Sequence, residues 1–280
     1  MSATILTPAI LLAPFDQPDD MTETSIDKAA DILWTTRVAQ GRLAALPADC
    51  RPATLDAGYA VQAAMAALAG QATAGWKIAA TSAAGQKHIG VTEPLAGRLF
   101  ANFILPDGAS LAAAPLQMQV VEAEFAFRLG HDLPARAVPY EIGEVRAAIA
   151  DMHLAIEIPD ARFEPFDTIG PAQIAADDAF AAWFVLGPKV MGWEALDLPN
   201  QNVRVLKNGK VAAEGKGANA LGDPCLALTW LANERAKRGP ALKAGDIITT
   251  GTCITPLHVD AGDAIVAEFP GLGRVALQLT

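Results

Sequence analysis

The sequence predicts an α+β fold, a small helical N-terminal part followed by a β-rich core, and three observations predict it. Apolar residues recur at helical spacing near the start, over about residues 25–70. From Trp76 onward the apolar runs shorten to strand length and are punctuated by Gly, Pro, Asn and Asp. One of those strands, Val120-Val121-Glu122-Ala123-Glu124-Phe125-Ala126-Phe127, carries two glutamates one residue apart.

Taking the elements in order, residues 1–20 read as a loose N-terminal tail. Ile5 to Pro14 is apolar but interrupted by proline, and no Lys or Arg precedes Lys28, so the basic start of a signal peptide is missing. Met21 is a candidate start. Residues 21–280 then read as one domain, with a helical part over 21–72 and a β-rich core over 73–280. Ser25 is the expected N-cap of a first helix running to about Gly41, with Ile26, Ala29, Ile32 and Leu33 on one face. Pro47 to Pro52 breaks it, and Thr54 opens a second helix to about Gly70. Strands follow at Trp76–Ala79, Gln119–Leu129, Leu154–Ile158 and Ala181–Leu186. A helix over Glu141–Met152 is expected from the spacing of Ile142, Val145, Ile149 and Met152. Val203 to Glu214 contains Asn208-Gly209, a pair that tolerates positive φ and so predicts a two-residue hairpin. Asp223-Pro224 is a cap followed by proline at the first helical position, and predicts a helix to about Gly239. Strands at Asp246–Thr250, Asp263–Phe269 and Arg274–Leu279 complete a mostly antiparallel or mixed core.

Composition excludes several function classes. The net charge is −10, with no basic run, which argues against a nucleic-acid partner. No stretch reaches the roughly eighteen apolar residues of a membrane span. Hydrophobic residues make up 52% of the chain, enough for a large core and an apolar subunit interface. Cys50, Cys225 and Cys253 match no zinc or disulfide framework and fit a reducing, cytoplasmic compartment. There is no phosphate loop, no dinucleotide fingerprint and no nucleophile elbow.

The chemistry is carried by acids in apolar surroundings. Side chains at i and i+2 of a strand share a face, so Glu122 and Glu124 project together. Glu157 stands in a second apolar run, Leu154-Ala155-Ile156-Glu157-Ile158. Buried together, three carboxylates repel unless something neutralises them, and a hard divalent cation such as Mg²⁺ or Mn²⁺ does so. On the solvated edge of a half-exposed strand the same acids would need no partner. Lys77, in Gly75-Trp76-Lys77-Ile78-Ala79, is a lysine inside an apolar strand: it either snorkels to water or holds an anion. His88, His131, His153 and His258 form no ligand cluster in sequence, and only His153, four residues before Glu157, stands near the acids.

Together these segments resemble the 2-oxopent-4-enoate hydratase and 4-oxalocrotonate decarboxylase group of the fumarylacetoacetate hydrolase superfamily. Gly75-Trp76-Lys77-Ile78 with Thr81-Ser82 is similar to the group's G-W-K-x-G-x-T-S segment, and Glu122-Ala123-Glu124 to its E-x-E motif. Ala155-Ile156-Glu157-Ile158-Pro159-Asp160-Ala161-Arg162 is similar to A-L-E-I-x-D-S-R, and Gly251-Thr252 to Asp263 and Gly271-Leu272-Gly273 match the C-terminal pattern. The resemblance implies a mixed β-roll, Mg²⁺ or Mn²⁺ on Glu122, Glu124 and Glu157, a catalytic Lys77, and a small 2-oxo acid substrate. It further implies a lyase of the hydratase type in a homodimer or larger homo-oligomer. Ser82, Leu95, Phe180 and Thr252 are pocket candidates. Two of these depart from the family. Leu95 stands where the hydratases carry an acid, in Gly90-Val91-Thr92-Glu93-Pro94-Leu95, and Phe180 replaces a small hydroxyl residue in Ala176-Asp177-Asp178-Ala179-Phe180. Leu95 cannot move a proton, which keeps a 4-oxalocrotonate-type decarboxylase, an acylpyruvate hydrolase and a non-catalytic oxo-acid-binding scaffold as alternatives.

Overall fold

The computed structural model describes residues 21–280, so the expectations for residues 1–20 lie outside the described residues. Helix α1 (Glu23–Val38) begins three residues earlier than its predicted start. Its cap is Thr22, not Ser25: the Thr22 hydroxyl accepts the Ser25 N–H at 3.2 Å, which places Ser25 in the first turn. Helix α2 (Leu55–Leu68) starts at Thr54 as expected, the Thr54 hydroxyl accepting the Ala57 N–H. The two helices pack through Ala29, Ala30, Leu33, Ala57, Val61 and Met65, small residues on α1 letting α2 approach.

The remaining elements follow in order: β1 (Thr73–Ala79), α3 (Ala83–Ile89), β2 (Leu95–Phe100), β3 (Ile104–Pro106), β4 (Ala109–Leu111), β5 (Val120–Leu129), α4 (Ile142–Ala148) and β6 (Ile149–Ile158). After them come α5 (Pro171–Ala176), β7 (Trp183–Val190), β8 (Asn202–Lys207), β9 (Lys210–Lys216), α6 (Pro224–Arg238), β10 (Ile247–Thr249), β11 (Leu257–His258), β12 (Ala264–Phe269) and β13 (Gly273–Leu279). The mixed α+β reading holds. Most strand pairs are antiparallel, while β1 with β10, β3 with β7, and β4 with β13 are parallel. Asn208 (φ 54°) and Gly209 (φ 76°) turn the β8–β9 hairpin as their dipeptide predicts. The helix expected over Glu141–Met152 is corrected: it ends at Ala148, and Ile149 turns extended (φ −78°, ψ 127°). Residues 149–152 instead open β6 against the end of β5, because strand pairing with a buried neighbour overrides a short helical period.

The large sheet runs β2-β1-β10-β5-β6-β7-β3, with β11 added to β5. Strands β2 and β3 are its two edges, yet only residues 101–103 separate them in sequence. Laid flat, seven strands would hold their edges roughly 29 Å apart; the short connection spans only about 10–15 Å. The sheet therefore curls into a roll. Leu99, Ala126, Ala155 and Phe184, from β2, β5, β6 and β7, meet inside it. The alternate residues, including Trp76, Ile78, Phe125, Phe127, Ile156 and Val185, face outward into the main core. There they meet Val205, Ile265, Val275 and Leu277 of the second sheet, β4-β13-β12-β8-β9, and Leu228 and Leu231 of α6.

Candidate metal centre

The roll explains how glutamates end up inside. On β5, Ala123, Phe125 and Phe127 take the outward face, so Glu122, Glu124 and Ala126 take the interior. Glu157 of β6 lies directly opposite Glu122, a like-charge cross-strand pair that is unfavourable by itself. Lys77 reaches the same interior from β1: β10 lies between β1 and β5, and Thr249 pairs both with Lys77 and with Ala126. Glu124, Glu157 and Lys77 are each at least 97% buried. One ligand atom from each of Glu122, Glu124 and Glu157 falls within 4.8 Å of the others. Oxygens sharing a Mg²⁺ or Ca²⁺ ion sit roughly 3–5 Å apart, so this spacing suits such an ion.

The electrostatics point the same way. Lys77 Nζ lies 2.7 Å from Glu157 Oε1 and donates to the Ala179 carbonyl at 3.1 Å. Glu124 Oε2 accepts the Gly251 N–H at 2.8 Å, while its Oε1 is buried without a hydrogen-bond partner among the described residues. Burial, then the charge of Glu157, pushes the Glu122 carboxyl up to about 7. The same two causes, joined by Glu122, push Glu124 well above the ordinary carboxylate range. Burial opposes the charge on Lys77, but Glu157, Glu122 and Glu124 together hold its ammonium above its usual value. Three carboxylates face one ammonium, an imbalance of two negative charges. A divalent cation fits this donor set in charge, in ligand chemistry and in the orphaned acceptor it would engage.

The supporting backbone is strained where it meets Lys77. Asp178, Ala179 and Phe180 adopt successive positive φ values of 59°, 50° and 63°. Each costs on the order of 1–2 kcal/mol for a residue with a Cβ. Two acids from the same segment hold the turn. Asp178 Oδ1 accepts the Arg98 N–H at 2.6 Å, and Asp177 binds the Arg162 backbone N–H at 2.8 Å and pairs with its guanidinium. Gly97 completes the fit, since a Cβ there would stand 2.1 Å from the Asp178 carbonyl oxygen. The product of this strain is one carbonyl, that of Ala179, aimed at the lysine. Gly251 is under a similar constraint: its φ is +94°, and a Cβ would stand 2.0 Å from Thr81 Oγ1.

The other predicted positions fall as follows. Ser82 caps α3, its Oγ accepting the Gly85 N–H at 3.0 Å. Thr252 follows Gly251, but its hydroxyl donates to the Ile254 carbonyl at 2.9 Å. Leu95 and Phe180 are buried in one apolar cluster with Ile89, Ala161 and Ile174, and Phe180 packs edge-on against Phe166 at 5.7 Å. His153 shares the Glu157 face of β6 but sits two residue pairs away, roughly 13 Å along the strand; its Nδ1 is 3.1 Å from the Gly187 carbonyl oxygen. Sequence reasoning missed Asp177, Asp178, Arg98 and Gly97. The signal for the first two was present, two adjacent acids inside the apolar run Ile174 to Ala182.

Comparison with known proteins places the chain in a family. The model of the fumarylacetoacetate hydrolase C-terminal domain matches residues 77–280, and the chain belongs to that family. Within it, the chain is 36% identical to a 2-keto-4-pentenoate hydratase of Burkholderia vietnamiensis, over 75% of this chain and 79% of that one. It is 33% identical to a hydratase of the same name from Paraburkholderia phymatum, over 90% and 97%. It is also 34% identical to a 4-oxalocrotonate decarboxylase of Pseudomonas putida, over 74% and 77%. Among solved structures, a Pseudomonas putida 4-oxalocrotonate decarboxylase complexed with magnesium and adipate superposes with a TM-score of 0.86 at 29% identity, covering 93% of this chain and 99% of that one.

Proposed function

We propose that this chain is a divalent-metal-dependent lyase of the 2-keto-4-pentenoate hydratase type, acting on a small 2-hydroxydienoic (2-oxo) acid. The observation that carries the proposal is the convergence of Glu122, Glu124 and Glu157 with Lys77 inside the roll. Glu122, Glu124 and Glu157 would hold Mg²⁺ or Mn²⁺. The magnesium complex of the related decarboxylase supports a divalent ion here. When bound, the ion supplies Lewis-acid charge for the carboxylate and 2-oxo oxygens of the substrate.

The chain's own residues do the rest. Lys77 places a fixed ammonium beside those oxygens, where negative charge grows as the dienol rearranges. Glu157 and the Ala179 carbonyl fix the direction of its N–H groups, so little reorganisation is needed when the charge develops. The buried interior excludes bulk water and strengthens these interactions. Leu95 and Phe180 would line the apolar side of the pocket, with Ser82 and Thr252 nearby.

A second reading, 4-oxalocrotonate-type decarboxylation, is favoured by one residue. Leu95 cannot relay a proton, and loss of CO₂ to the same enolate needs less proton handling than addition of water. Acylpyruvate hydrolysis would use the same platform. As the frame for this chemistry we take residues 21–280 as one catalytic domain, in a homodimer or larger homo-oligomer. The compartment is reducing and cytoplasmic, in keeping with three free, buried cysteines.

The test begins with metal-stripped protein titrated with Mg²⁺ and Mn²⁺, with and without oxalate, which mimics the chelating end of the substrate. Metal-dependent oxalate binding is expected. Turnover is then followed as loss of 2-hydroxypenta-2,4-dienoate absorbance, and as CO₂ release from 4-oxalocrotonate. Dienoate loss without CO₂ release supports the hydratase; CO₂ release alone moves the decarboxylase to first place. No metal-dependent oxalate binding would leave the non-catalytic scaffold.

A further inference from the structure

A second charged cluster lies beside the strained turn, and arginines rather than glutamates dominate its lining. A cavity of about 140 Å³ is lined by Arg37, Arg42 and Arg162, with Phe103, Leu116 and Trp183 among its apolar walls. Two of these arginines each make four hydrogen bonds. Arg162 spends its donors on Asp177 and on the Asp160 and Ala181 carbonyls. Arg42 bonds the Gly41 and Pro115 carbonyls and Asp160 Oδ2. Arg37 is different. Its side chain is only 6% exposed, yet its one polar partner among the described residues is Asp178 Oδ2, at 3.5 Å. Of the five N–H donors of a guanidinium, one is engaged, and at the limit of hydrogen-bond length.

The rest of the Arg37 head is held by ring faces, with Phe103 at 4.5 Å and Phe100 at 5.3 Å from its central carbon. Stacking fixes the plane of the fork but satisfies none of its edge donors. Burial, reinforced by the charge of Arg162, pushes the Arg37 guanidinium down to about 10 even with Asp178 and Asp177 nearby. The remaining Arg37 donors border the cavity, and an anion bound there would supply acceptors for them.

We infer that this cavity is a binding site for a small oxyanion, a carboxylate or a phosphate, held in the planar fork of Arg37, with Arg42 and Arg162 in the cavity wall. One opposing group, the carboxylate of Asp160, also lines the cavity. It is neutralised by Arg42 at 3.1 Å and by the N–H groups of Gln117 and Met118 at 2.7 and 2.9 Å. At about 140 Å³ the cavity has room for a carboxylate or phosphate group with some water. The site stands independently of the proposed reaction, since none of its residues faces the glutamates.

The full-length protein, titrated calorimetrically with sodium acetate, succinate and inorganic phosphate in a chloride-free buffer, tests this. One anion per chain is expected to bind. Saturation by acetate and succinate alone identifies a carboxylate site, by phosphate alone a phosphate site. Arg37→Lys keeps the charge and loses the fork, and should weaken binding at least about tenfold, or roughly 1.4 kcal/mol. The double variant Arg37→Met, Asp178→Asn removes both charges of the pair, so that neither is left buried alone, and should abolish binding. Glu124→Gln should leave it unchanged. Binding that survives both Arg37 variants, binding lost in Glu124→Gln, or no saturable binding by any of the three anions would overturn the inference. None of these outcomes bears on metal-dependent oxalate binding.

Discussion

Two buried ionic clusters flank the turn at residues 177–180, and they differ in their charge balance. Inside the roll, Glu122, Glu124 and Glu157 face Lys77 alone. Behind the turn, Asp160, Asp177 and Asp178 pair with Arg42, Arg162 and Arg37, one cation for each acid. Burial raises the Asp177 carboxyl to about 6, and Arg162 opposes the rise with its charge and its hydrogen bonds. At Glu124 only the Lys77 charge, shared with Glu122 and Glu157, and the Gly251 N–H oppose the rise, and the carboxyl stays well above the ordinary range. A buried acid is therefore weak evidence of function; an acid whose charge the chain leaves uncompensated is strong evidence, because only a ligand can complete it.

Removing members of each cluster should break this comparison if it is wrong. Glu124→Ala should abolish stoichiometric Mg²⁺ binding and cost turnover roughly 10³–10⁴-fold, several kcal/mol of lost Lewis-acid stabilisation. Metal analysis of the purified variant, set beside its steady-state rate, measures both. Arg162→Met should act on stability instead. It leaves Asp177 buried and unpaired, and urea titration should report a loss of about 3–5 kcal/mol. If Arg162→Met abolished metal binding in a chain that stayed folded, the two clusters would not be separable. Lys77→Met should lower kcat about 10²–10³-fold while Mg²⁺ binds at least as tightly as before, since a positive charge has left the site. Weaker Mg²⁺ binding in that variant would contradict the charge count.

The pH dependence sharpens the comparison further. An unfolded glutamate titrates near 4.5, whereas Glu122 in the folded chain titrates at about 7. Between those values the folded state binds more protons than the unfolded state, so metal-free stability falls as pH rises. The loss should be on the order of 2–3 kcal/mol between about pH 5 and pH 8, read from urea midpoints. Asp177, raised to about 6, contributes in the same direction, but Mg²⁺ should reverse only the share that belongs to the glutamates. A metal-free protein equally stable at both ends of this range would mean that the glutamates are not buried as described. The smallest effect is a control remote from both clusters: Asp223→Ala removes the cap of α6 and should cost about 1 kcal/mol without touching metal binding.

The residues themselves carried much of this protein. The period-2 pattern placed Glu122 and Glu124 on one strand face, because strand side chains alternate whatever the tertiary context. Thr54, Asn208-Gly209 and Asp223-Pro224 marked two helix starts and a hairpin through local backbone chemistry, which also acts within a few residues. The family motifs brought Glu157 and Lys77 to the same account. Local signals failed where a distant partner decided. Ile149 and Met152 suit a helix or a strand, and pairing with β5 made them strand. Leu95–Phe100 and Pro171–Ala176 gave too short a period to be read as the strand and helix they form.

Only the tertiary structure decided that the glutamates lie inside. That follows from the curl of the large sheet, which the three-residue connection between its two edges imposes and which no single strand encodes. The same holds for Asp177 and Asp178. Their type was visible in the sequence, but their partners, Arg162, Arg98 and Arg37, lie from 15 to 141 residues away. Periodicity reports which way a side chain points from its own backbone. What stands opposite it, and whether the charges there cancel, is a property of the assembled fold.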